Sequence, residues 1–169
     1  MKFEDFINTT PTELQELIEK CKLVHQDAMY HPEAPNDKVP HNVYKHINIV
    51  YNRALQTNDK DLIIAAFLHD LGKIETTKPS LKKQNSWNAL DHESISVKIA
   101  EHHKQWIEDS GANFSNVIEI IQQHMRMKFF NEMKRKKQEV VKSNPLFNKF
   151  IKFLELDNMK TLSEDECNI

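Results

Sequence analysis

The dipeptide His69-Asp70, closing the apolar run Phe67-Leu68 and followed by Leu71-Gly72-Lys73, sets an imidazole and a carboxylate side by side where a helix should end. Adjacent nitrogen and oxygen donors of this kind can chelate one metal ion. Further donors are spaced along the chain, with His46 upstream and His92, His124 and Asp157 downstream. Such a nitrogen-and-oxygen set suits a hard or borderline divalent cation rather than a thiolate site. It points to metal-assisted phosphate chemistry. Mn, Mg, Fe, Co, Ni and Zn all accept these ligands, so the residue types leave the metal's identity open.

Basic groups stand close to these donors in sequence. Lys73 follows the pair by one short turn, so its ammonium could reach a phosphate bound at a metal, or could act only as a helix-end cation. Arg126, near His124, offers a planar bidentate donor. Taken singly, His92 and His124 read equally as ligands or as satisfied buried histidines. His102-His103 lies mid-helix between Glu101 and Lys104, where adjacent side chains point about 100° apart, and it reads as solvated surface. His25 and His41 suit surface or loop roles, and the Trp87 and Trp106 rings suit core or wall.

Helices must carry these donors. Thr10 before Pro11, with Glu13 at the third position, predicts a cap for a first helix that carries Leu14, Leu17, Ile18 and Cys21, expected to act as a lid or brace. Residues 29–40 hold Pro32, Pro35, Asn36, Asp37 and Pro40, which predicts an ordered loop. A second helix is expected from about Asn42 to Gln56, and a third from Asp59 to His69, apolar nearly all round. Asp91 should cap a fourth that begins at His92 and runs to Ser110-Gly111. A fifth runs from Ser115 towards His124, and Asn144-Pro145 opens a last long helix through Asp157. The glycines, Gly72 and Gly111, both follow helical runs and suit left-handed helix closure. No strand alternation of useful length and no repeat is visible. The expected fold is an all-α, single-domain helical bundle, with residues 1–28 bracing the core, 29–161 forming it, and 162–169 a frayed acidic tail.

Composition narrows the setting. The chain has 169 residues, with 23 Lys and Arg against 25 Asp and Glu, a net charge of −2. One compact domain fits that length, and near-neutrality gives no global electrostatic case for a nucleic-acid coat or a membrane-surface protein. Cys21 and Cys167 lie far apart without zinc-type spacing, which argues for reduced thiols. The N-terminus Met1-Lys2-Phe3-Glu4-Asp5-Phe6 lacks the pattern of a secretory signal, and no run approaches the ~18 apolar residues of a spanning helix. A soluble, cytoplasmic protein is expected. The segment from Lys128 to Lys142, which includes Lys134-Arg135-Lys136-Lys137, is the strongest argument for RNA or DNA contact, although Glu132 and Glu139 fit a solvated helix face and nucleic acid is the less favoured partner.

The order His46, His69-Asp70 with Leu71-Gly72-Lys73, and a distant Asp157 resembles the HD superfamily of metal-dependent phosphohydrolases. The resemblance runs from Tyr30 to Thr161. It is similar in more detail to the HD domain of bacterial tRNA CCA-adding enzymes and poly(A) polymerases. Tyr30-His31-Pro32-Glu33 precedes Val43-Tyr44-Lys45-His46 as in that subfamily, Asp91-His92-Glu93 matches its mid-domain His-Glu, and His124-Met125-Arg126-Met127, Met133-Lys134 and Leu154-Glu155-Leu156-Asp157-Asn158 follow in order. The nucleotidyltransferase head with its acidic strand is absent, so nucleotide polymerisation is not expected. Ala34-Pro35-Asn36-Asp37 also lengthens the loop after His31 and Glu33.

The resemblance implies a helical core in which His46, His69, Asp70 and Asp157 hold one divalent ion, and metal-activated water attacks phosphorus. His92 and His124 would hold a second ion, with Asp70 bridging at a separation of about 3.5–4 Å, or one of them would serve as general acid or phosphate donor. Asp70, Lys73 and His92 are then the catalytic candidates, and Lys73 and Arg126 the substrate-binding ones. The expected substrate is a small nucleotide: a 2′- or 3′-phosphate, a 2′,3′-cyclic phosphate or a signalling nucleotide. The alternative is a catalytically weak module that handles RNA or a partner protein through residues 128–142.

Overall fold

The computed structural model describes residues 2–26, 42–82, 87–160 and 162–167. The expected loop over 29–40, with His31 and Glu33, lies outside these residues, as does His41. The chain is mostly helical, and each long helix follows from a cap and an apolar face. Helix α1 spans Phe3–Ile7 and α2 Thr12–Cys21. Helix α3 (Val43–Leu55) starts where the Asn42 side chain accepts from the Lys45 N–H, and α4 (Lys60–Leu68) where Asp59 accepts from the N–H groups of Asp61 and Leu62. Every residue of α4 from Asp61 to Leu68 is buried, because α3, α6, α8 and α10 all pack on it.

The chain then makes a short helix α5 (Lys73–Thr76), strand β1 (Thr77–Pro79) and strand β2 (Trp87–Ala89), which pair antiparallel with Thr77 opposite Ala89. Helices α6 (His92–His102), α7 (Lys104–Asp109), α8 (Phe114–Lys128), α9 (Arg135–Lys142), α10 (Phe147–Leu156) and α11 (Glu164–Cys167) follow, with a 3₁₀ turn at Phe130–Glu132. No helix among the described residues is long and apolar enough to cross a membrane.

Several expectations need correction. Helix α1 has no counterpart in the periodicity, yet it fills the back of the core: the Phe6 ring lies 4.7 Å from Tyr51 and 5.1 Å from Phe67. The Thr10 hydroxyl does not cap α2; it donates to the Ile7 carbonyl at 2.8 Å and closes α1 instead. A β-pair exists, too short at three residues per strand to leave an alternation in the sequence. The fourth helix breaks at His103 (φ −104°, ψ 24°) into α6 and α7. Asp91 precedes it in the left-handed region (φ 61°) without capping it, its carboxylate accepting from the Ser94 hydroxyl at 2.6 Å. The last helix begins after Leu146, because the Asn144 side chain accepts from the Leu146 N–H at 2.8 Å and makes a turn of its own. The tail is not wholly frayed, since α11 forms within it.

The glycines differ. Gly111 is left-handed (φ 86°), as a helix-closing glycine should be. Gly72 is not, with φ −62° and ψ −17°. What Gly72 supplies is room: a Cβ there would lie 2.1 Å from the His92 carbonyl oxygen and 2.9 Å from the Ser96 nitrogen. Its own N–H donates to the Ser96 hydroxyl at 2.9 Å. Helix α6 thus docks directly on the His69-Asp70 turn and carries His92 to it.

Candidate metal centre

Four helices and one turn deliver six donors to one buried point. His46 faces inward from α3, His69 directly follows the last residue of α4, and Asp70 comes next in the turn held by the Lys73 N–H on the Asp70 carbonyl at 3.0 Å. His92 opens α6, His124 lies in α8, and Asp157 ends α10. The negative ends of the α4 and α10 peptide dipoles therefore converge where a cation would be favoured. All six side chains are buried, none more than 4% exposed.

The donors form two groups that share Asp70. In the first, His46 Nε2 lies 3.1 Å from His69 Nε2, 3.2 Å from Asp70 Oδ2 and 2.9 Å from Asp157 Oδ1, with His69 Nε2 3.6 Å from that same Asp157 oxygen. In the second, His92 Nε2 lies 3.2 Å from His124 Nε2 and 3.1 Å from Asp70 Oδ1, which is 3.8 Å from His124 Nε2. His46, His69 and Asp70 form one triad able to hold an ion, and Asp70, His92 and His124 another.

In three of the four rings the far side fixes the tautomer. Nδ1 of His69 lies 2.9 Å from the Ala66 carbonyl, that of His92 2.7 Å from the Ala89 carbonyl, and that of His124 2.6 Å from the Ile121 carbonyl. A carbonyl only accepts, so by hydrogen-bond logic each Nδ1 carries the proton, and Nε2 of the neutral ring presents a lone pair. Ala89 ends β2, so the small sheet holds in place the carbonyl that orients His92.

These lone pairs face one another and face carboxylates. The His92 and His124 acceptors, held 3.2 Å apart in a buried site, repel unless a proton or a cation stands between them. The oxygens of Asp157, Asp70 Oδ2 and His46 Nδ1 are buried without a well-directed hydrogen bond from the described residues. Lys73 Nζ and Lys128 Nζ do stand 2.8 Å from Asp70 Oδ2 and Asp157 Oδ2, close enough for charge attraction but outside hydrogen-bond angles. Unsatisfied oxygen and neutral-imidazole acceptors of this composition fit a divalent cation.

Protonation preferences agree with that fit. Burial drives the Asp70 carboxyl towards neutrality, but His69, Lys73, His46 and His92 outweigh it and hold it well below the ordinary range. Asp157 is likewise held down against burial, chiefly by Lys128 and then by His46 and His69. Burial, reinforced by His69, lowers His124 to about 3, so this ring stays neutral. His46 goes the other way: burial lowers it, but the carboxylates of Asp157 and Asp70, 2.9 and 3.2 Å from its Nε2, prevail and raise it. Cys21 is buried behind the site, and burial pushes its thiol up, away from thiolate chemistry.

Of the basic candidates, Lys73 is 1% exposed and faces Asp70. Arg126 is not brought to the cluster. It lies exposed on α8, with Nη1 3.4 Å from Gln123 Oε1. The cation that α8 does deliver is Lys128, whose side chain is 33% exposed and reaches Asp157. Helical spacing carries that signal, since Lys128 follows His124 by four residues and shares its face, whereas Arg126, two residues on, does not. His102 and His103 stand away from the site, with Nε2 atoms 3.4 and 3.5 Å from Glu13 Oε2. His25 stacks on Trp87 at 4.3 Å, and Trp106 packs 6.0 Å from Phe67.

The HD domain family matches residues 41–153, two thirds of the chain. The chain belongs to the HD domain family. HD domains are in general metal-dependent phosphohydrolases that bind divalent ions, and the clustered, buried His and Asp side chains of this one are able to hold such an ion. The matched span includes His46, His69-Asp70, His92 and His124 and stops four residues before Asp157, which the fold brings within 2.9 Å of His46. No curated protein matches the chain.

Proposed function

We propose that this HD domain is a divalent-metal-dependent phosphohydrolase, a phosphomonoesterase or phosphodiesterase, acting on a small nucleotide or nucleotide-like substrate. The observation that carries the reading is the pair of buried His and Asp triads sharing Asp70, with the His92 and His124 lone pairs opposed, an arrangement that a bound cation would relieve. His46, His69, Asp70 and Asp157 would hold one ion. His92 and His124, with the other oxygen of Asp70, would hold a second or, with one ion bound, supply a proton donor to the leaving oxygen. A divalent ion held there would lower the pKa of a water molecule and polarise a phosphoryl oxygen.

The chain's own groups account for the remaining steps. Asp70 and Asp157 keep their charge at neutral pH and offset the ion's. Lys73, held against Asp70 Oδ2, fixes that carboxylate and balances negative charge as it develops on a phosphate. Lys128, partly exposed beside Asp157, is the group placed to meet an arriving phosphate. Burial of all six donors excludes bulk water and strengthens each of these interactions. A nucleotide substrate follows from the motif resemblance alone, and a cytoplasmic setting from the reduced-thiol reading of Cys21 and Cys167.

Measuring metal content in the purified protein, followed by a phosphate-release screen on 2′-, 3′- and 2′,3′-cyclic nucleotides with Mn²⁺, Mg²⁺, Co²⁺ and Ni²⁺, tests the reading. Release that depends on one of these ions and disappears on chelation is expected. A second reading rests on α9, whose Arg135, Lys136, Lys137 and Lys142 are all exposed: a module that grips RNA. RNA binding that weakens steeply with salt, without hydrolysis under any ion, would favour it.

A further inference from the structure

Arg53 lies seven residues after His46, two turns along the same face of α3. Its guanidinium reaches the other side of the chain that carries Asp157. Nη1 donates to the Leu156 carbonyl at 3.0 Å and to the Asn158 carbonyl at 2.6 Å, the two residues that flank Asp157. The remaining edge of the fork meets Glu166: Nε pairs with Oε1, and Nη2 donates to Oε2 at 3.0 Å. Glu166 is itself held, since its Oε2 accepts from the Ser163 N–H at 2.8 Å and its N–H donates to the Ser163 hydroxyl at 3.3 Å. That reciprocal pairing is the capping box of α11.

Asp157 needs such support more than the other donors do. The rings of His69, His92 and His124 are oriented by main-chain carbonyls, and Asp70 sits in a turn closed by Lys73. Asp157 stands at the helix end, where α10 holds the chain on one side only. We propose that Arg53, braced by Glu166, is a positioning residue for Asp157: it ties both carbonyls flanking this carboxylate to the helix that carries His46, so that the C-terminal segment sets the ion affinity of that half of the centre. This rests on the metal-centre reading above. A planar fork with donors on two edges is required, which lysine cannot supply.

The test uses the full chain and Mn²⁺ titrated calorimetrically into the parent, Glu166→Ala, Arg53→Lys and Glu166→Asp. Partners that orient a ligand from behind typically contribute about 10–100-fold in metal affinity. Glu166→Ala and Arg53→Lys should weaken the Mn²⁺ site served by His46 and Asp157 by about 10-fold or more, with Glu166→Asp recovering part of the loss. The Co²⁺-loaded forms should show an altered visible spectrum, which a loss of stability alone would not produce. Parent-like Mn²⁺ affinity and Co²⁺ spectra in both variants overturn the positioning role while leaving the metal centre intact. A parent that binds no Mn²⁺ overturns the metal reading and this inference with it.

Discussion

The two ends of α4 carry polar clusters that look alike in composition and differ in balance. At its N-terminal end, Asp59 and Asp61 meet Lys149, Asn113 and Asn116. Asp61 Oδ1 accepts from the Asn113 N–H at 2.7 Å, and its Oδ2 accepts from Asn116 at 2.8 Å and from Lys149 at 2.6 Å. Asp59 accepts from two helix N–H groups and from Lys149 at 2.9 Å. Each acceptor there has a donor, and the cluster joins α4, α8 and α10. At the C-terminal end acceptors face acceptors. A balanced buried cluster is architecture; an unbalanced one is an instruction to bind something, because leaving it unrelieved costs several kcal/mol that marginally stable proteins do not carry idly.

Substitution should separate the two ends. Asp70→Ala removes the carboxylate common to both triads, so bound metal should vanish and phosphate release should fall by at least ~10²–10³-fold, as when a transition-state donor is lost. Metal-free Asp70→Ala should still fold, as circular dichroism would report; activity that survives the change sinks the proposed centre. Asp61→Ala should do the opposite. It removes the acceptor of the Asn113 N–H and leaves Lys149 one carboxylate short, which should cost about 1–3 kcal/mol in denaturant unfolding while metal content stays at the parent value.

Gly72→Ala probes the link between α6 and the His69-Asp70 turn. With only 2.1 Å available to the new methyl, α6 must shift, at about 1–3 kcal/mol. If His92 and His124 hold an ion of their own, it should bind more weakly than one at His46, so titration should show unequal losses. Equal losses at both would mean that the turn itself had collapsed.

Acid should act on the two ends in different windows. His124 has a folded pKa of about 3 against 6.5 for a free ring, so between these values the unfolded chain takes up a proton that the folded chain refuses. Metal-free stability should therefore fall as pH drops from 6.5 towards 3, and His124→Ala should flatten that slope. Burial raises the Asp61 carboxyl, but Lys149, Asn116 and Asn113 outweigh it and hold it below 3.8, so its contribution is present above 3.8 and lost as pH falls further. Asp61→Asn should flatten only that lower limb. Unfolding midpoints measured against pH for the three proteins decide it.

Much of this is legible in the residues because helices advertise themselves by period and cap. Asn42 and Asp59 begin α3 and α4 as their side-chain types predict, and the all-round apolar pattern of α4 follows from its central place. The donors are legible because their order along the chain resembles that of a known family, although His46 and His124 lie inside α3 and α8 rather than at helix ends. Features set by tertiary contact are not. Helix α1 is five residues long and offers no full period. Gly72 reads as a helix stop, while what it does in the fold, yielding to the His92 carbonyl, exists only once α6 is docked. Side-chain chemistry singles out Arg126, whereas helical phase favours Lys128. Arg53 and Glu166, 113 residues apart, leave no local trace of their pairing.

Three of the imidazoles take their orientation from peptide carbonyls three residues earlier, and every amino acid brings the same carbonyl. Exchanging the residue that supplies such a carbonyl therefore leaves the carbonyl itself in place. Asp157 is different, because side chains prop it. On the metal-centre reading, substitutions at Arg53 or Glu166, positions 113 residues apart in sequence, would reach that carboxylate without touching the imidazoles.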